Sequence, residues 1–455
     1  MKNELFLIDE KDNVAVNLAD AQKYAVKSIK KGEEIIKYGF RIGFATEDIE
    51  PDEHVHSHNM KTALNGISEY EYSPVDCKTE PIEPFTIKAY LRKNGEIGIR
   101  NDVWIINTVG CVNKTAEILA RETGAFHFPH PYGCSQLGDD HKRTQQVLCG
   151  LIKHPNASGV LVLGLGCENN NIGEMKKVLG EYDEERVRFL NVQDCSDEIA
   201  EGVAIIRELQ ELASKDERIE VPASKLKIGM KCGGSDGLSG ITANPLCGRI
   251  SDKICAMGGV SVLTEVPEMF GAEQLLMNRC KDKSVFEKAV KLINNYKEYF
   301  IAHNQPISEN PSPGNKKGGI TTLEEKSLGC VQKGGKAEVS AVLDYGDTAT
   351  ESGVNLLNGP GNDIVAVTNL TAAGCHMILF TTGRGTPLGA PIPTLKLSTN
   401  TALYNNKKHW IDFDAQSGTT DELIELIKET ANGRKSKSEL QGYREIAIFK
   451  DGVTL

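Results

Sequence analysis

The chain has 455 residues, of which 40% are hydrophobic and 25% charged, and a formal net charge of −11. That length exceeds one ordinary core and calls for two or three domains, and the composition is that of a globular protein. The acidic balance, with no basic block to neutralise phosphates, excludes nucleic acid as the main partner, and no apolar run approaches the roughly 18 residues of a membrane span.

Met1-Lys2-Asn3-Glu4 lacks the apolar core of a signal peptide. Twelve cysteines with no CxxC pair fit a reducing cytoplasm in which disulfides do not form.

Residues 1–71 read as a small β-rich unit. Leu5–Ile8, Val14–Val16, Glu34–Gly39 and Arg41–Phe44 are short strand candidates between turn residues. The unit closes with Glu53-His54-Val55-His56-Ser57-His58-Asn59. In a strand, His54, His56 and His58 share one face, where three imidazoles can bind a metal. The alternative is a polar solvent face, and both readings stand. Residues 72–86, with three prolines and no periodicity, form a linker.

From 87 to 223 the pattern alternates strand and helix. Val103–Ile106, Gly159–Gly166 and Val187–Val192 are strand candidates, with helices expected at about 113–122 and 141–152. Ser196 is placed to cap a helix carrying Ile199, Val203, Ile206 and Leu209 at helical spacing. The alternation continues over 224–455. It includes strands at Leu226–Met230, Val260–Leu263 and Cys375–Phe380, helices near 246–257, 271–281 and 285–303, and a capping box at Thr419 and Glu422. Such alternation implies parallel sheets with helices outside. The fold class is therefore α/β with a small N-terminal β module.

Four apolar strands run into polar tails: Cys167-Glu168-Asn169-Asn170, the glycine-rich loop 231–245, Thr264-Glu265-Val266-Pro267-Glu268, and Thr381-Thr382-Gly383-Arg384. Ligands of parallel sheets bind at the carboxyl ends of the strands, so four such tails predict one site. The loop 231–245 interleaves glycines with Cys232, Ser235, Asp236, Thr242 and Asn244, the composition of a polar pocket. Two further segments are candidates. His130 to His141 brings histidines, a thiol and carboxylates into a turn-rich stretch, although its spacing fits no standard zinc pattern. Asn310 to Gly319 offers Asn315 and Lys316 to an anionic group, or serves as a rigid linker. No dinucleotide loop or P-loop occurs. Carboxylates, amides, imidazoles and thiols together suit a divalent metal such as Fe²⁺ or Mn²⁺ acting on an oxygen-rich substrate, with an arginine to pair with a carboxylate.

The chain resembles the altronate/galactarate dehydratase family. The resemblance rests on Lys37-Tyr38-Gly39, the 53–59 histidines, Thr108–Asn113, Tyr132–His141, Gly164–Asn170, the 231–245 loop, Thr264–Leu276, Asn310–Thr322, Thr382–Pro387 and Lys408–Asp414. Within the family, Tyr132–His141 looks like the altronate branch. The resemblance implies loss of water from D-altronate to give 2-dehydro-3-deoxy-D-gluconate, with Fe²⁺ or Mn²⁺ required. It also implies a β-clip (SAF-like) module over 1–71, here shortened after Val16, a middle domain over 87–223 linked to homodimerisation, and a Rossmann-like catalytic domain over 224–455.

Asp236, Glu265 and Glu268 are the expected carboxylate ligands, with Cys232 and Glu168 beside them. His130 or His141 is base or acid, Arg384 and Lys316 hold the substrate carboxylate, and Ser235, Thr242, Asn244 and Asn315 contact the sugar. Other sugar acids, galactarate among them, and a non-catalytic binding protein are the alternative readings.

Overall fold

The structure, a computed structural model, describes residues 5–77 and 79–455. At the N-terminus, short apolar runs broken by turn formers pair into two small antiparallel sheets. One holds β1 (Leu5–Phe6), β2 (Val14–Asn17) and β3 (Lys23–Ala25); the other holds β4 (Glu34–Lys37), β5 (Phe40–Ala45) and β6 (Met60–Lys61). Val14, Ala25, Ile35, Ile42 and Val55 are buried in a core continuous with that of the C-terminal part. The shortened module therefore has its own sheets and a packed inner face.

The histidine segment is not the strand its alternation predicts. Past a single bridge from His54 to Tyr24 the chain turns. The Asn59 side chain enforces the turn, donating to the His54 carbonyl and accepting from the His56 N–H, each at 2.9 Å. The proline-rich stretch up to Thr86 is irregular but tied down. Val75 N–H donates to Asn278, Ile82 N–H donates to Ala256, and the Tyr72 ring packs 5.0 Å from that of Phe286.

After β7 (Thr86–Leu91) and β8 (Ile97–Gly98) come β9 (Asp102–Asn107), β10 (Phe126–His127), β11 (Ala157–Gly164) and β12 (Val187–Asn191). The last four form a parallel sheet in the order β10-β9-β11-β12. Strand β11 is central and buried on both faces, as its unbroken apolar run requires. The helix Glu198–Ser214 is capped by Asp197, one residue after the expected Ser196, because Asp197 accepts the Ala200 N–H at 2.9 Å. Strand β13 (Arg218–Pro222) then returns antiparallel to β7 and closes a small β13-β7-β8 sheet that simple alternation does not anticipate.

The C-terminal sheet comprises β14 (Lys227–Cys232), β15 (Val260–Leu263), β16 (Val339–Leu343), β17 (Gly353–Leu357), β18 (Met377–Thr382), β19 (Thr394–Ser398) and β20 (Phe413–Asp414). All pairings are parallel, in the order β16-β17-β15-β14-β18-β19-β20. The first strand lies inside the sheet; the chain adds β15 beside it, passes to the edge strand β16, inserts β17 between the two and then crosses to the other side. The Rossmann-like expectation reduces here to an all-parallel sheet with a switch point between β14 and β18, where such sheets bind ligands. The Thr419–Glu422 capping box forms on the helix Thr420–Ala431. Among the described residues, no helix is long and apolar enough to cross a membrane.

Candidate functional site

Three segments converge at the carboxyl edge of the C-terminal sheet. Strand β14 ends in Cys232. Strand β15 runs through Thr264 to Glu265, which has φ of 70° and opens a 3-10 turn, Val266–Glu268. That left-handed backbone costs about 1–2 kcal/mol in a residue with a Cβ. It is held by the Glu265 carboxylate, which accepts the Cys232 N–H at 3.1 Å and pairs with Lys231. The third segment is the helix Leu323–Cys330, capped by Thr322 and buried along its whole length.

The result is a buried triad of Cys232, Glu268 and Cys330. Glu268 Oε2 lies 2.9 Å from Cys232 Sγ and 3.3 Å from Cys330 Sγ, and the two sulfurs are 3.5 Å apart. Among the described residues it is the one group of three His, Cys, Asp or Glu side chains whose donor atoms all lie within 4.8 Å of one another.

Three buried lysines surround it. Lys326 pairs with Glu268 at 2.8 Å, Lys231 with Glu265 and with Asp363 at 2.9 Å, and Lys333 lies 3.9 Å from Glu265. Burial alone would raise the Glu268 carboxyl, but Lys326, Lys333 and Lys231 hold it far below the ordinary range. Burial and the neighbouring Glu268 charge push Glu265 well up. The hydrogen bond from Cys330 lowers Cys232 to about 6 against its burial, with help from Lys333 and Lys231, while Cys330 itself is raised. Cys232 is thus the readier thiolate and Cys330 the donor. Soft sulfur next to a carboxylate, in a positively charged and dry setting, is a donor set that fits a divalent transition metal.

The other expected residues are distributed differently. Asp236 is buried beside this edge, but its oxygens are occupied by Thr399 (2.8 Å), Asn400, Ser239 and the Leu238 N–H. Burial nevertheless leaves its pKa raised. Ser235 gives its carbonyl to Asn315 Nδ2 at 2.8 Å. Thr242 donates to the Thr399 carbonyl, and Asn244 links Thr381 to the Gly329 carbonyl. Arg384 is exposed, with only a long contact of 3.4 Å to the Gly314 carbonyl. Lys316 is half-buried, and its carbonyl accepts from His56 at 2.8 Å. The His54 ring lies 5.3 Å from that of His56 and 5.8 Å from that of His58.

Two expectations need correction. Glu168 follows β11, which belongs to the other sheet, so three of the four polar tails share an edge and the fourth does not. Its carboxylate instead accepts from Thr108 (2.5 Å) and from the Leu165 and Gly166 N–H groups, bonds that outweigh burial and lower its pKa. His130 has both ring nitrogens engaged, Nε2 donating to the Asn107 carbonyl at 2.9 Å and Nδ1 accepting the Tyr132 N–H at 3.2 Å. With burial lowering its pKa, it is held as a neutral strut. His141 keeps a buried Nδ1 without a partner.

Two glycines of the 231–245 loop also have a different partner from the one expected. A Cβ on Gly237 would lie 2.0 Å from the Ala21 carbonyl oxygen, and one on Gly240 would lie 2.3 Å from the Tyr38 hydroxyl. These two admit the N-terminal module, whereas Gly233 and Gly234 lie against Phe380, Asp363 and Arg384. Cys330, Lys231, Lys326 and Lys333 escaped sequence reasoning. Glu324, Glu325 and Lys326 are three consecutive charged residues, all of them buried.

Three family descriptions match successive stretches of the chain. The altronate/galactarate dehydratase SAF domain matches residues 17–63. The second domain of D-galactarate dehydratase/altronate hydrolase matches 89–214, and the D-galactarate/altronate dehydratase C-terminal domain matches 223–454. Altronate dehydratase of Bacillus subtilis (strain 168) is 52% identical, covering 95% of this chain and 91% of the relative. Altronate dehydratase of Escherichia coli (strain K12) is 50% identical over 98% and 94%. Galactarate dehydratase (L-threo-forming) of the same organism is 30% identical over 95% and 90%. The chain belongs to the altronate/galactarate dehydratase family.

Proposed function

We propose that this protein is a metal-dependent hydro-lyase that dehydrates D-altronate to 2-dehydro-3-deoxy-D-gluconate. The observation that carries the reading is half-identity, over nearly the whole chain, to two proteins named altronate dehydratase. The 30% identity to a galactarate dehydratase makes that substrate the runner-up. Cys232, Glu268 and Cys330 would hold the metal, and a thiolate-bearing set favours Fe²⁺ over Mn²⁺. Bound there, the metal supplies a Lewis acid for the charge that develops on the substrate carboxylate.

The chain's own groups divide the remaining work. Arg384, exposed and weakly engaged, pairs with the sugar-acid carboxylate, with Lys316 beside it. The C2 proton must leave and the C3 hydroxyl must be protonated. Of the two histidines in 130–141, His141 has a nitrogen free for that exchange. Lys326 and Lys333 keep Glu268 ionised. The division into 1–71, 72–86, 87–223 and 224–455, a homodimer formed through the middle domain, and a cytoplasmic location belong to the same reading.

The test is formation of 2-keto acid under anaerobic conditions with added Fe²⁺, across a panel of sugar acids. Turnover of D-altronate above all others is expected. Preference for galactarate would reassign the substrate, and binding without 2-keto acid would make the protein a non-catalytic homologue.

A further inference from the structure

Each strand of the four-stranded parallel sheet delivers one cysteine just past its carboxyl end: Cys111 after β9, Cys134 after β10, Cys167 after β11 and Cys195 after β12. Cys195 is half-buried, gives its thiol to the Asn191 carbonyl at 3.1 Å, and is pushed up to about 11, chiefly by burial. The other three thiols are exposed.

The loops that carry Cys111, Cys134 and Cys167 are hydrogen-bonded to one another. Gly110 N–H donates to the Tyr132 carbonyl and Asn170 N–H to the Gly133 carbonyl, each at 2.9 Å, and Ser135 N–H donates to Asn169 Oδ1 at 3.0 Å. A Cβ on Gly133, whose φ is 100°, would lie 1.9 Å from the Thr108 carbonyl oxygen. Cys111 sits in the 3-10 turn Gly110–Val112, which leads directly into the helix Asn113–Thr123.

A second, independent observation points to a ligand at this edge. The Oδ1 atoms of Asn107, Asn170 and Asn191 and Nε2 of Gln136 are buried without a hydrogen-bond partner. Asn107 and Asn170 are fully enclosed and Gln136 is 3% exposed. A buried polar group left without a partner loses its hydration uncompensated, so four at one sheet edge call for a bound group.

We propose that Cys111, Cys134 and Cys167 hold an iron–sulfur cluster, with the orphaned amides binding a hydroxylated ligand beside it. The three Sγ atoms do not all lie within 4.8 Å of one another. Four sulfurs around one tetrahedral ion sit roughly 3.8 Å apart, so the wider arrangement suits thiolates bonded to different irons. Each thiol loses its proton on binding. A cubane cluster held by three thiolates keeps one iron free of protein ligands, open to a ligand oxygen. This centre lies on a different sheet from Cys232, Glu268 and Cys330, and it stands whichever sugar acid is turned over.

The test is anaerobic reconstitution of the full chain with Fe³⁺, sulfide and excess thiol, which reduces part of the iron to Fe²⁺, followed by desalting. Iron, acid-labile sulfide and visible sulfide-to-iron absorption are then measured, with circular dichroism to verify folding. Wild type and Cys330→Ser are expected to retain labile sulfide and the absorption. Cys111→Ser, Cys134→Ser and Cys167→Ser, all at exposed positions, are each expected to lose most of both while staying folded. Iron without labile sulfide in the wild type, or a cluster that survives all three substitutions or is lost with Cys330→Ser, would overturn the proposal.

Discussion

Glu268 decides the charge balance of the buried triad, since it touches both thiols and the Lys326 ammonium. Glu268→Gln keeps the shape and removes the charge, leaving the buried Lys326 ammonium with neutral amide partners, Asn310 and Asn315, and no carboxylate. The expected cost is about 3 kcal/mol of stability in denaturant titration, together with roughly tenfold weaker Fe²⁺ binding by anaerobic equilibrium dialysis. Unchanged metal affinity would remove the triad from consideration. Cys232 and Glu268 were legible in the chain as polar residues past the ends of strands. Cys330 was not, because a cysteine closing a short polar helix looks like any small buried residue. Its partner sulfur lies 98 positions away.

At the scale of the element, the helix Leu323–Cys330 joins the N-terminal module to the site. Glu325 takes Lys23 at 2.9 Å and Lys37 at 2.8 Å, all three side chains being 1% exposed. The lysines hold Glu325 at about 2 against its burial, while burial lowers Lys23 to about 8. Glu325→Gln is expected to cost about 3–5 kcal/mol and to free the module, seen as early proteolysis before residue 72. The glycine loop makes the same junction from the other side. Gly240→Ala drives a methyl into the Tyr38 hydroxyl and is expected to cost about 1–3 kcal/mol. Tyr38→Phe in the same chain should recover part of that loss in thermal melts, since the nearest side-chain atom then retreats from 2.3 to 2.9 Å. The run of glycines was visible in the sequence as a demand for close approach, but the approaching group could be identified only in three dimensions.

For the whole molecule, His154 joins the two parallel sheets. Its Nε2 donates to the Cys375 carbonyl and its Nδ1 accepts the Asn156 N–H, each at 3.0 Å, while Asn156 reaches the His376 carbonyl. Burial lowers its pKa from 6.5 to about 3. The unfolded chain therefore binds more protons between those values. Stability from neutral His154 is complete above pH 6.5 and is lost as pH falls toward 3. Melting temperature should fall steeply across that window in the wild type and less steeply in His154→Gln, whose amide can still donate to Cys375. Parallel slopes would show that other groups govern acid unfolding. By itself, the sequence determined the α/β class, the small β module, most strands and helices, and the polar character of the strand ends, because periodicity and turn chemistry are local. Only the tertiary structure decided that Glu168 and Asp236 are engaged elsewhere, that Cys330 completes a triad, and that buried lysines set its charge. Those facts depend on which strands share a sheet and on burial, and neither is written in the spacing of residues along the chain.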